Sequence, residues 1–386
     1  CVRDLLLGYK PKDFDVVTDA EPDEVRTIFR RARVIGRRFR LVHVRVGRDV
    51  VEVSTYRAAP KRGSAGFEAH AEQGRILRDN VFGTRDDDAR RRDFSINALY
   101  YDPVENVVID YVDGFSDLQR HLLRVIGDPI RRFEEDPVRM LRAVRFAVRL
   151  NLRMERRIES VLPDLAGLLV HVPPARLFDE VLKIFHGGHG YAAYEQLQRF
   201  GLLAELFPES VRAHTKVDLD PDHGLVSLAL RNTDHRLAGG QPVIPAFLFA
   251  VMLWRAVCLE TDQNQHRGMA PVQSLHRAIS TVIGRQQQRV TISRRVATTM
   301  FDMWNLQHWL LERRPRLVPK TLAHKRFRGA YDFLMLRISA GEATVEVGTW
   351  WTRIQEVDGP TRRKMITELT VPQKRGRPRH RRRKTA

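Results

Sequence analysis

The stretch Lys12-Asp13-Phe14-Asp15-Val16-Val17 sets two carboxylates one residue apart in front of two valines. Successive side chains of a strand alternate between its faces, so Asp13 and Asp15 would point to the same side. Neighbouring carboxylates repel each other unless a cation lies between them, and Mg²⁺ prefers hard oxygen ligands of this kind together with substrate phosphates. Such a pair can hold two ions that activate a hydroxyl and stabilise a leaving pyrophosphate. The stretch therefore predicts a magnesium site on a strand, with a solvated turn as the alternative.

The residues that follow predict a small mixed sheet with helices. Val25, Ile28 and Phe29 have the spacing of one apolar face of an amphipathic helix. A strand, a three-residue loop and a returning strand then form a predicted hairpin, at 41–46, 47–49 and 50–56. The chain begins without Met, inside what reads as a strand-to-helix unit, so we expect a fragment that lacks a first strand.

Beyond the hairpin the pattern becomes helical. A predicted helix begins at Thr84 and runs through Leu99, and a short strand follows at 107–111. From Phe115 onward the sequence is almost wholly helical, with a polar loop predicted at Thr261 to Ala270. These patterns predict an α+β protein whose small sheet lies at the N-terminal end and whose remainder is helical.

The composition points to a polyanionic partner. The 386 residues carry a formal net charge of +19, and the segment 373–386 holds eight Lys or Arg and no acid. Nucleic acid and acidic lipid are the two candidate partners. The most apolar stretch, Ile244 to Trp254, is too short to span a bilayer, so we expect no membrane association. Two cysteines exclude a disulfide framework and predict a reducing, cytoplasmic location.

Four arginines form a positive stripe on one predicted helix. Arg139, Arg142, Arg145 and Arg149 recur at steps of three and four, opposite apolar residues. Like charges on one face destabilise a helix unless an anion is bound. One interpretation is a solvated face paired with the acidic residues 134–136. The other is a nucleotide site, because Arg presents a planar donor fork to phosphates and an Asp–Arg pair can match a base edge.

Further polar and aromatic residues are weaker candidates. Glu52 would point away from its valine neighbours, as a third carboxylate or as an exposed strand residue. The basic residues around Phe39 suit phosphate contact with stacking, and they are Arg37, Arg38 and Arg40. A His and Asp cluster at 214–223 is more typical of a turn than of a metal site. Four tryptophans could stack on bases, although their helical spacing favours core packing: Trp304, Trp309, Trp350 and Trp351.

Four motifs, taken in order, resemble the class II nucleotidyltransferases, the family of bacterial CCA-adding enzymes and of the bacterial poly(A) polymerases derived from them. These motifs are Val-Arg-Asp-Leu-Leu-Leu-Gly at 2–8, Lys-Asp-Phe-Asp at 12–15, Arg-Arg-Asp-Phe-Ser-Ile-Asn-Ala-Leu at 91–99 and Glu-Asp-Pro-Val-Arg-Met-Leu-Arg-Ala-Val-Arg-Phe at 135–146. Three further segments resemble the poly(A) polymerase branch, at 35–44, 173–178 and 327–334, and so does the basic tail.

The resemblance implies a nucleotidyltransferase head at 1–113, a helical neck with the base-reading helix at 114–205, a helical RNA-binding body and tail at 206–370, and a disordered basic tail at 371–386. It implies that Asp13 and Asp15 bind two Mg²⁺ ions, with Asp93 as a further catalytic carboxylate and Glu52 as a candidate metal ligand.

The nucleotide-binding residues implied by the resemblance are arginines and one aspartate. Arg92, Arg142 and Arg145 would hold the triphosphate or ribose of ATP, and Arg3 would also contact the nucleotide. Asp136 and Arg139 would read the adenine edge in place of a template base.

The implied reaction is template-independent addition of AMP from ATP to RNA 3′ ends, with release of pyrophosphate. A CCA-adding enzyme and a non-catalytic basic RNA-binding protein are the alternatives. Expected partners are RNA 3′ ends, ATP and proteins of RNA decay or RNA chaperoning, and the chain is expected to be a monomer.

Overall fold

The computed structural model describes residues 1–11, 14–36, 40–58, 81–213 and 223–369. These residues form two compact units. The first unit consists of Cys1–Val211, Thr233–Gln241 and Arg285–Thr291, and the second of Arg212–Asn232, Pro242–Gly284 and the described chain from Ile292 onward. Within the described stretches, none of the helices combines the length and the apolar character needed to cross a membrane.

A four-stranded mixed sheet opens the first unit, after a short helix α1 (Val2–Leu6). Its strands are β1 (Asp15–Thr18), β2 (Arg33–Ile35), β3 (Leu41–Val46) and β4 (Asp49–Thr55). The order across the sheet is β1-β4-β3-β2, with β1 parallel to β4 and the other neighbours antiparallel. Asp15 pairs in register with Glu52, so the two carboxylates lie on the same face of the sheet.

Helix α2 (Pro22–Ile28) packs on the opposite face of this sheet. Its Val25 is buried in one cluster with Val42, Val44 and Val53. On β3, Val42 and Val44 are buried and the intervening His43 lies outside this cluster, whereas Val46 at the end of the strand is 59% exposed.

The predicted apolar face of α2 was wrong beyond Val25. Helix α2 ends at Ile28, and the side chains of Ile28 and Phe29 are 69% and 47% exposed.

The hairpin between β3 and β4 is tighter than predicted. Val46 pairs with Asp49, which leaves a two-residue turn of Gly47 and Arg48 instead of a three-residue loop. Gly47 has a φ of +62°, a conformation that glycine adopts without a steric penalty.

Helix α3 (Arg85–Arg91) begins where the sequence predicted. The Thr84 hydroxyl accepts the N–H of Asp87, and the Asp87 carboxylate accepts the N–H of Thr84, which is a capping box. The predicted continuation to Leu99 was wrong, since the helix ends at Arg91.

The chain after α3 leaves the helix because Asp93 satisfies local donors itself. Its carboxylate accepts the N–H of Phe94 and an amide hydrogen of Asn97, in competition with helical hydrogen bonds. Phe94 and Ile96 are fully buried, a 3₁₀ turn spans 95–97, and strand β5 (Leu99–Asp102) follows.

Helices dominate the rest of the first unit, interrupted by three short strands. The elements between residues 103 and 213 are β6 (Val107–Asp110), α4 (Gly114–Gln119), β7 (Leu122–Leu123), α5 (Pro129–Glu135), α6 (Val138–Arg149), β8 (Arg153–Met154), α7 (Arg156–Leu165), α8 (Pro174–Phe185), α9 (Gly190–Arg199), α10 (Leu202–Leu206) and α11 (Pro208–Ala213). Helix α6 is amphipathic as predicted, with Met140, Leu141 and Val144 fully buried.

Helices account for the elements described after residue 223. They are α12 (Leu225–Ala238), α13 (Pro245–His266), α14 (Pro271–Gln287), α15 (Arg294–Glu312), α16 (Val318–Leu322), α17 (Phe327–Ser339), α18 (Val345–Glu356) and α19 (Gly359–Glu368). The α+β fold class predicted from the sequence is confirmed.

The polar loop predicted at Thr261 to Ala270 was wrong over its first half, since α13 continues to His266. Two side chains make the polar run compatible with a helix. The Thr261 hydroxyl donates to the Val257 carbonyl, and the buried Asn264 donates to the carbonyl of Ser274.

Two of the four tryptophans form the core of the second unit. Trp304 and Trp351 are fully buried, and their indole N–H groups donate to the carbonyls of Ala250 and Leu310. The prediction of core packing is confirmed for this pair.

Gly114 gives a test of the packing between α4 and the turn at 95–97. A Cβ at Gly114 would lie 2.2 Å from the carbonyl oxygen of Ser95. We expect Gly114→Ala to lower the free energy of unfolding by about 1–3 kcal/mol, because the backbone must move apart. Urea unfolding would measure this.

Gly167→Ala is the matched control, since a Cβ there meets no atom within 4 Å. Equal free energies of unfolding for the two variants would contradict the close approach.

Candidate active site

A cavity of about 1150 Å³ opens in the first unit. Among the described residues, its walls carry ten arginines and five aspartates. An excess of positive charge in one concave site favours a polyanion such as a nucleoside triphosphate. The cavity brings together eight of the residues predicted from the sequence: Arg3, Asp15, Arg92, Asp93, Asp136, Arg139, Arg142 and Arg145.

Asp88 of α3 fixes the guanidinium of Arg92. Arg92 Nη2 donates to Asp88 Oδ2 at 2.9 Å, and the Tyr100 hydroxyl donates to the same oxygen at 2.7 Å. Burial alone favours a neutral carboxyl, but Arg92 and the Tyr100 hydrogen bond outweigh it and lower the pKa of Asp88. Asp88 is therefore ionised at neutral pH and holds Arg92 toward the cavity.

Asp93 pairs with Arg142 across the cavity wall. Arg142 Nε donates to Asp93 Oδ2 at 2.7 Å, while Phe94 N and Asn97 Nδ2 donate to Oδ1 at 2.8 and 2.9 Å. Burial opposes ionisation of Asp93, yet Arg142 and the hydrogen bonds lower the pKa of this carboxyl. Both oxygens of Asp93 thus accept hydrogen bonds, and the Asp93–Arg142 pair fixes the position of this guanidinium at the cavity wall.

Three guanidinium groups gather around the ring of Phe146 on α6. The guanidinium carbons of Arg3, Arg142 and Arg145 lie 4.9, 5.3 and 4.4 Å from the ring centroid. Cations are attracted to an aromatic face at such distances. Phe146 thus draws together cations that would otherwise repel one another.

Arg145 has a buried partner on the neighbouring helix α8. Its Nε donates to Glu180 Oε1 at 2.5 Å, and Glu180 is 3% exposed. Burial lowers the pKa of Arg145, and Glu180 opposes this effect. Such a pair costs several kcal/mol to break from one side, so Arg145 is held in place.

The arginine stripe of α6 is paired mainly with acids that lie outside 134–136. Arg139 Nη1 does contact Glu135 Oε2, at 3.0 Å. Arg142 and Arg145, however, pair with Asp93 and Glu180, which are distant in sequence. Of these three, Arg139 alone has a partner within 134–136, and its side chain is only 14% exposed, so the interpretation of a solvated face was wrong.

Asp136 lies at the entrance to α6 and contacts a residue that the sequence analysis gave no role. Arg176 Nη2 of α8 donates to Asp136 Oδ2 at 2.7 Å, and the N–H of Val138 donates to Oδ1 at 3.3 Å. Arg139 lies in the same cavity and donates to the carbonyl of Arg132. Both residues predicted to read a base are therefore held in place: Asp136 by Arg176 and the N–H of Val138, and Arg139 by the carbonyl of Arg132.

The predicted metal ligands are described in part. Asp13 lies outside the described residues. Asp15 lines the cavity with an exposed side chain. Glu52 lies beside Asp15 in the sheet, and its Oε1 is 3.3 Å from His43 Nε2. Across the described stretches, no three acidic, His or Cys side chains are arranged to hold a metal. The oxygen donor of Asp15 fits a hard cation such as Mg²⁺.

Of the predicted RNA-binding arginines only Arg40 is described, and it is not among the residues that line the cavity. Arg40 Nη2 contacts Asp23 Oδ2 at 3.3 Å on the surface. Arg37 and Arg38 lie outside the described residues.

Four site residues were missed by the sequence analysis: Asp88, Tyr100, Arg176 and Glu180. Each contacts an arginine or aspartate that had been predicted. Arg176 and Glu180 are four residues apart on α8, which places them on one helix face. This spacing could have been used to predict a charged face on α8. Nothing in the sequence indicates which helix that face would meet.

The Asp93–Arg142 pair predicts a pH-dependent stability. We expect Asp93→Asn to lower the free energy of unfolding at pH 7 by about 2 kcal/mol, because a charge-assisted hydrogen bond is lost. The folded pKa of Asp93 lies below its unfolded value. The stabilisation is therefore fully present above about pH 4 and is lost as the pH falls through the folded pKa.

Urea unfolding of both proteins between pH 7 and pH 3 measures this difference. It should stay constant from pH 7 to pH 5 and shrink only below about pH 4. A difference that already shrinks between pH 7 and pH 5 would contradict the lowered pKa. Glu105→Gln, at an exposed turn carboxylate, is the control and should change stability by less than about 0.5 kcal/mol.

Three family models match the chain. A poly A polymerase head domain matches residues 1–124, a "probable RNA and SrmB- binding site of polymerase A" matches 151–213, and a "polymerase A arginine-rich C-terminus" matches 267–385. Together they follow the order of the chain.

Curated relatives agree with these models. The chain is 42% identical over 375 residues to poly(A) polymerase I of Salmonella typhi, covering 95% of this chain and 80% of that protein. It is 41% identical over 375 residues to poly(A) polymerase I of Haemophilus influenzae, covering 95% and 82%. A CCA-adding enzyme of Lactobacillus helveticus is 34% identical over 194 residues, covering 50% and 46%.

Solved structures share the fold. One, a tRNA-processing enzyme complex, has a TM-score of 0.61 at 23% identity and covers 95% of this chain and 93% of its own. Another, a tRNA nucleotidyltransferase complexed with a primer tRNA and an incoming ATP analog, has a TM-score of 0.60 at 22% identity and covers 92% and 93%. The family resemblance seen in the four sequence motifs is confirmed, and the chain belongs to the bacterial poly(A) polymerase family.

Proposed function

We propose that this chain adds AMP from ATP to RNA 3′ ends without a template and releases pyrophosphate. The observation that carries the proposal is the cavity of the first unit, where arginines from α1, α3 and α6 line the same wall space as Asp15. The names of the relatives that cover nearly the whole chain support the same activity.

The arginines would hold the triphosphate. Guanidinium has five N–H donors, and a carboxylate partner uses one or two of them. Arg92, Arg142 and Arg145 therefore keep donors for phosphate oxygens while Asp88, Asp93 and Glu180 fix their positions. Arg3, stacked on Phe146, adds a fourth cation on the same side.

Asp15 and Asp13 would hold Mg²⁺, with Glu52 as a further ligand on the same sheet face. When bound, a pair of Mg²⁺ ions would acidify the RNA 3′-hydroxyl and neutralise the departing pyrophosphate. The protein itself supplies position and charge, since phosphoryl-type transfer asks little covalent work of side chains.

Asp136 and Arg139 would recognise adenine, with Arg176 as a positioning residue. A carboxylate held by Arg176 at 2.7 Å has one orientation, and a fixed acceptor can distinguish the 6-amino group of adenine from the carbonyl that uracil and guanine carry at the equivalent position. Held rigidly, this pair would take the place of a template base.

RNA would bind by phosphate contacts along the neck, body and basic tail. The family model over 151–213 supports RNA contact there and supports partners among RNA-associated proteins. The formal net charge of +19 supports salt-dependent, weakly sequence-selective binding.

An incorporation assay tests the proposal. The chain is incubated with Mg²⁺, radiolabelled ATP or CTP, and either a generic RNA or a tRNA that lacks its 3′ end. ATP-dependent extension of the generic RNA is the expected result. CTP use confined to tRNA would indicate a CCA-adding enzyme instead, and no incorporation with intact RNA binding would indicate a non-catalytic RNA-binding protein.

Asp15→Asn tests the metal assignment. We expect AMP incorporation to fall at least about 100-fold, because the ligand for a catalytic cation is lost, while RNA affinity stays within about twofold. Asp19→Asn, an exposed aspartate just beyond β1, is the control and should keep normal incorporation. Near-normal turnover of Asp15→Asn would contradict the assignment.

Arg176→Ala tests the positioning of Asp136. We expect the ratio of kcat/KM for ATP to that for UTP to fall roughly 10-fold, because Asp136 loses the fixed orientation that favours an amino group over a carbonyl. Arg176→Lys should restore part of the ratio, and Arg156→Ala, an exposed arginine outside the cavity, should leave it unchanged. An unaltered ratio in Arg176→Ala would remove Arg176 from base selection.

A further inference from the structure

A second cavity, of about 430 Å³, lies within the second unit. Helices α13, α14 and α15 supply most of its wall, and its described lining residues all belong to this unit. The volume falls within the range of about 300–1,000 Å³ that is typical of pockets for small ligands and single bases.

Tryptophans form the aromatic part of this wall, and one of them has a free donor. Trp254 and Trp304 line the cavity, but their indole N–H groups already donate to Glu342 Oε2 at 3.0 Å and to the Ala250 carbonyl at 3.1 Å. The half-buried Trp309 also lines it, and its indole N–H donates to no group in the described part of the chain. Trp309 therefore offers the cavity an aromatic surface and a hydrogen-bond donor.

Two carboxylates supply acceptors beside these rings. Asp262 of α13 and Asp302 of α15 line the cavity, and neither pairs with a cation among the residues that the structure describes. Cys258 also lines the cavity, and burial raises the pKa of its thiol to about 12, so it stays neutral. An unpaired carboxylate accepts a hydrogen bond from an exocyclic amino group, which adenine, cytosine and guanine carry and uracil lacks.

A strongly basic segment borders the cavity. Residues 313–328, here called the basic segment, hold seven Lys or Arg and no acid, and their His324 lines the cavity. Arg316, Lys320 and Lys325 are exposed, and the described chain gives them no ion pair. Cations next to an aromatic pocket are the combination that binds single-stranded nucleic acid, by phosphate contact and base stacking.

We propose that this cavity binds one unstacked, amino-bearing base of the RNA substrate, and adenine is the base with which the test is made because the proposed reaction adds it to RNA. Trp309 contacts the base, Asp262 or Asp302 accepts its amino group, and the basic segment holds the flanking phosphates. The proposal rests on the proposed function in so far as it takes RNA as the substrate.

Equilibrium binding without ATP tests the inference. The whole chain is titrated into fluorescently labelled oligo(rA), oligo(rU) and an abasic oligoribonucleotide of equal length, and anisotropy gives each Kd. Trp309→Ala should weaken oligo(rA) binding roughly 10-fold, because a base–aromatic contact is lost, and should leave the abasic oligomer unchanged. Equal losses for all three oligomers, or no loss for oligo(rA), would overturn it.

A second variant keeps the test decisive if Trp309→Ala unfolds, which thermal unfolding would reveal. The double variant Asp262→Asn/Asp302→Asn should reduce the preference for oligo(rA) over oligo(rU), and an unchanged preference would overturn the proposal. Lys320→Gln/Lys325→Gln should weaken all three oligomers alike and flatten the salt dependence. Val345→Ala, at a residue that is 70% exposed, is the control and should alter none of these constants.

Failure of this inference is separable from failure of the proposed function. The incorporation assay measures nucleotidyl transfer in the first unit, whereas the anisotropy titration contains no ATP. Base-dependent binding that relies on Trp309, without any AMP incorporation, would overturn the proposed function alone. AMP incorporation with binding that ignores the bases would overturn the inference alone.

Discussion

Charge compensation between arginines and buried carboxylates is the interaction on which the first unit depends. The cavity gathers ten arginines, a concentration of like charge that would be unstable without partners. Asp88 binds the guanidinium groups of Arg91 and Arg92, and Asp93 and Glu180 bind those of Arg142 and Arg145, all from positions shielded from solvent. Each arginine is thus held at a defined place while part of its donor fork still faces the cavity.

This arrangement suits a reaction whose barrier is lowered mainly by position and charge. Rigid guanidinium groups need little reorganisation when an anion arrives, so they stabilise developing negative charge at small cost. Phe146 makes the clustering tighter, because its ring attracts three cations at once. Asp136 is held in a similar way, because Arg176 orients its carboxylate before a base binds.

Much of this organisation could be predicted from the sequence. Strong periodicity identified the amphipathic α6 and the two buried tryptophans, and ordered motifs identified the family. Eight predicted site residues line one cavity. Sequence patterns predicted the structure correctly where the conformation of a residue depends on its near neighbours in the chain.

The failures arose where distant residues decide the outcome. The helix expected to reach Leu99 ends at Arg91, because Asp93 caps its own neighbours and Phe94 is drawn into the core. The partners of the arginine stripe could not be assigned either, since Glu180 is 35 positions from Arg145. Pairings of that kind follow from how helices pack, which hydrophobic spacing alone does not specify.

The central claim is that the cavity arginines held in place by carboxylates bind the triphosphate of ATP. A crystal structure with Mg²⁺ and a non-hydrolysable ATP analogue tests it most directly. The account predicts phosphate oxygens within hydrogen-bond distance of Arg142 and Arg145, with the Asp93–Arg142 pair still formed. A triphosphate bound outside this cavity, or an Arg142 that leaves Asp93 to reach it, would contradict the account.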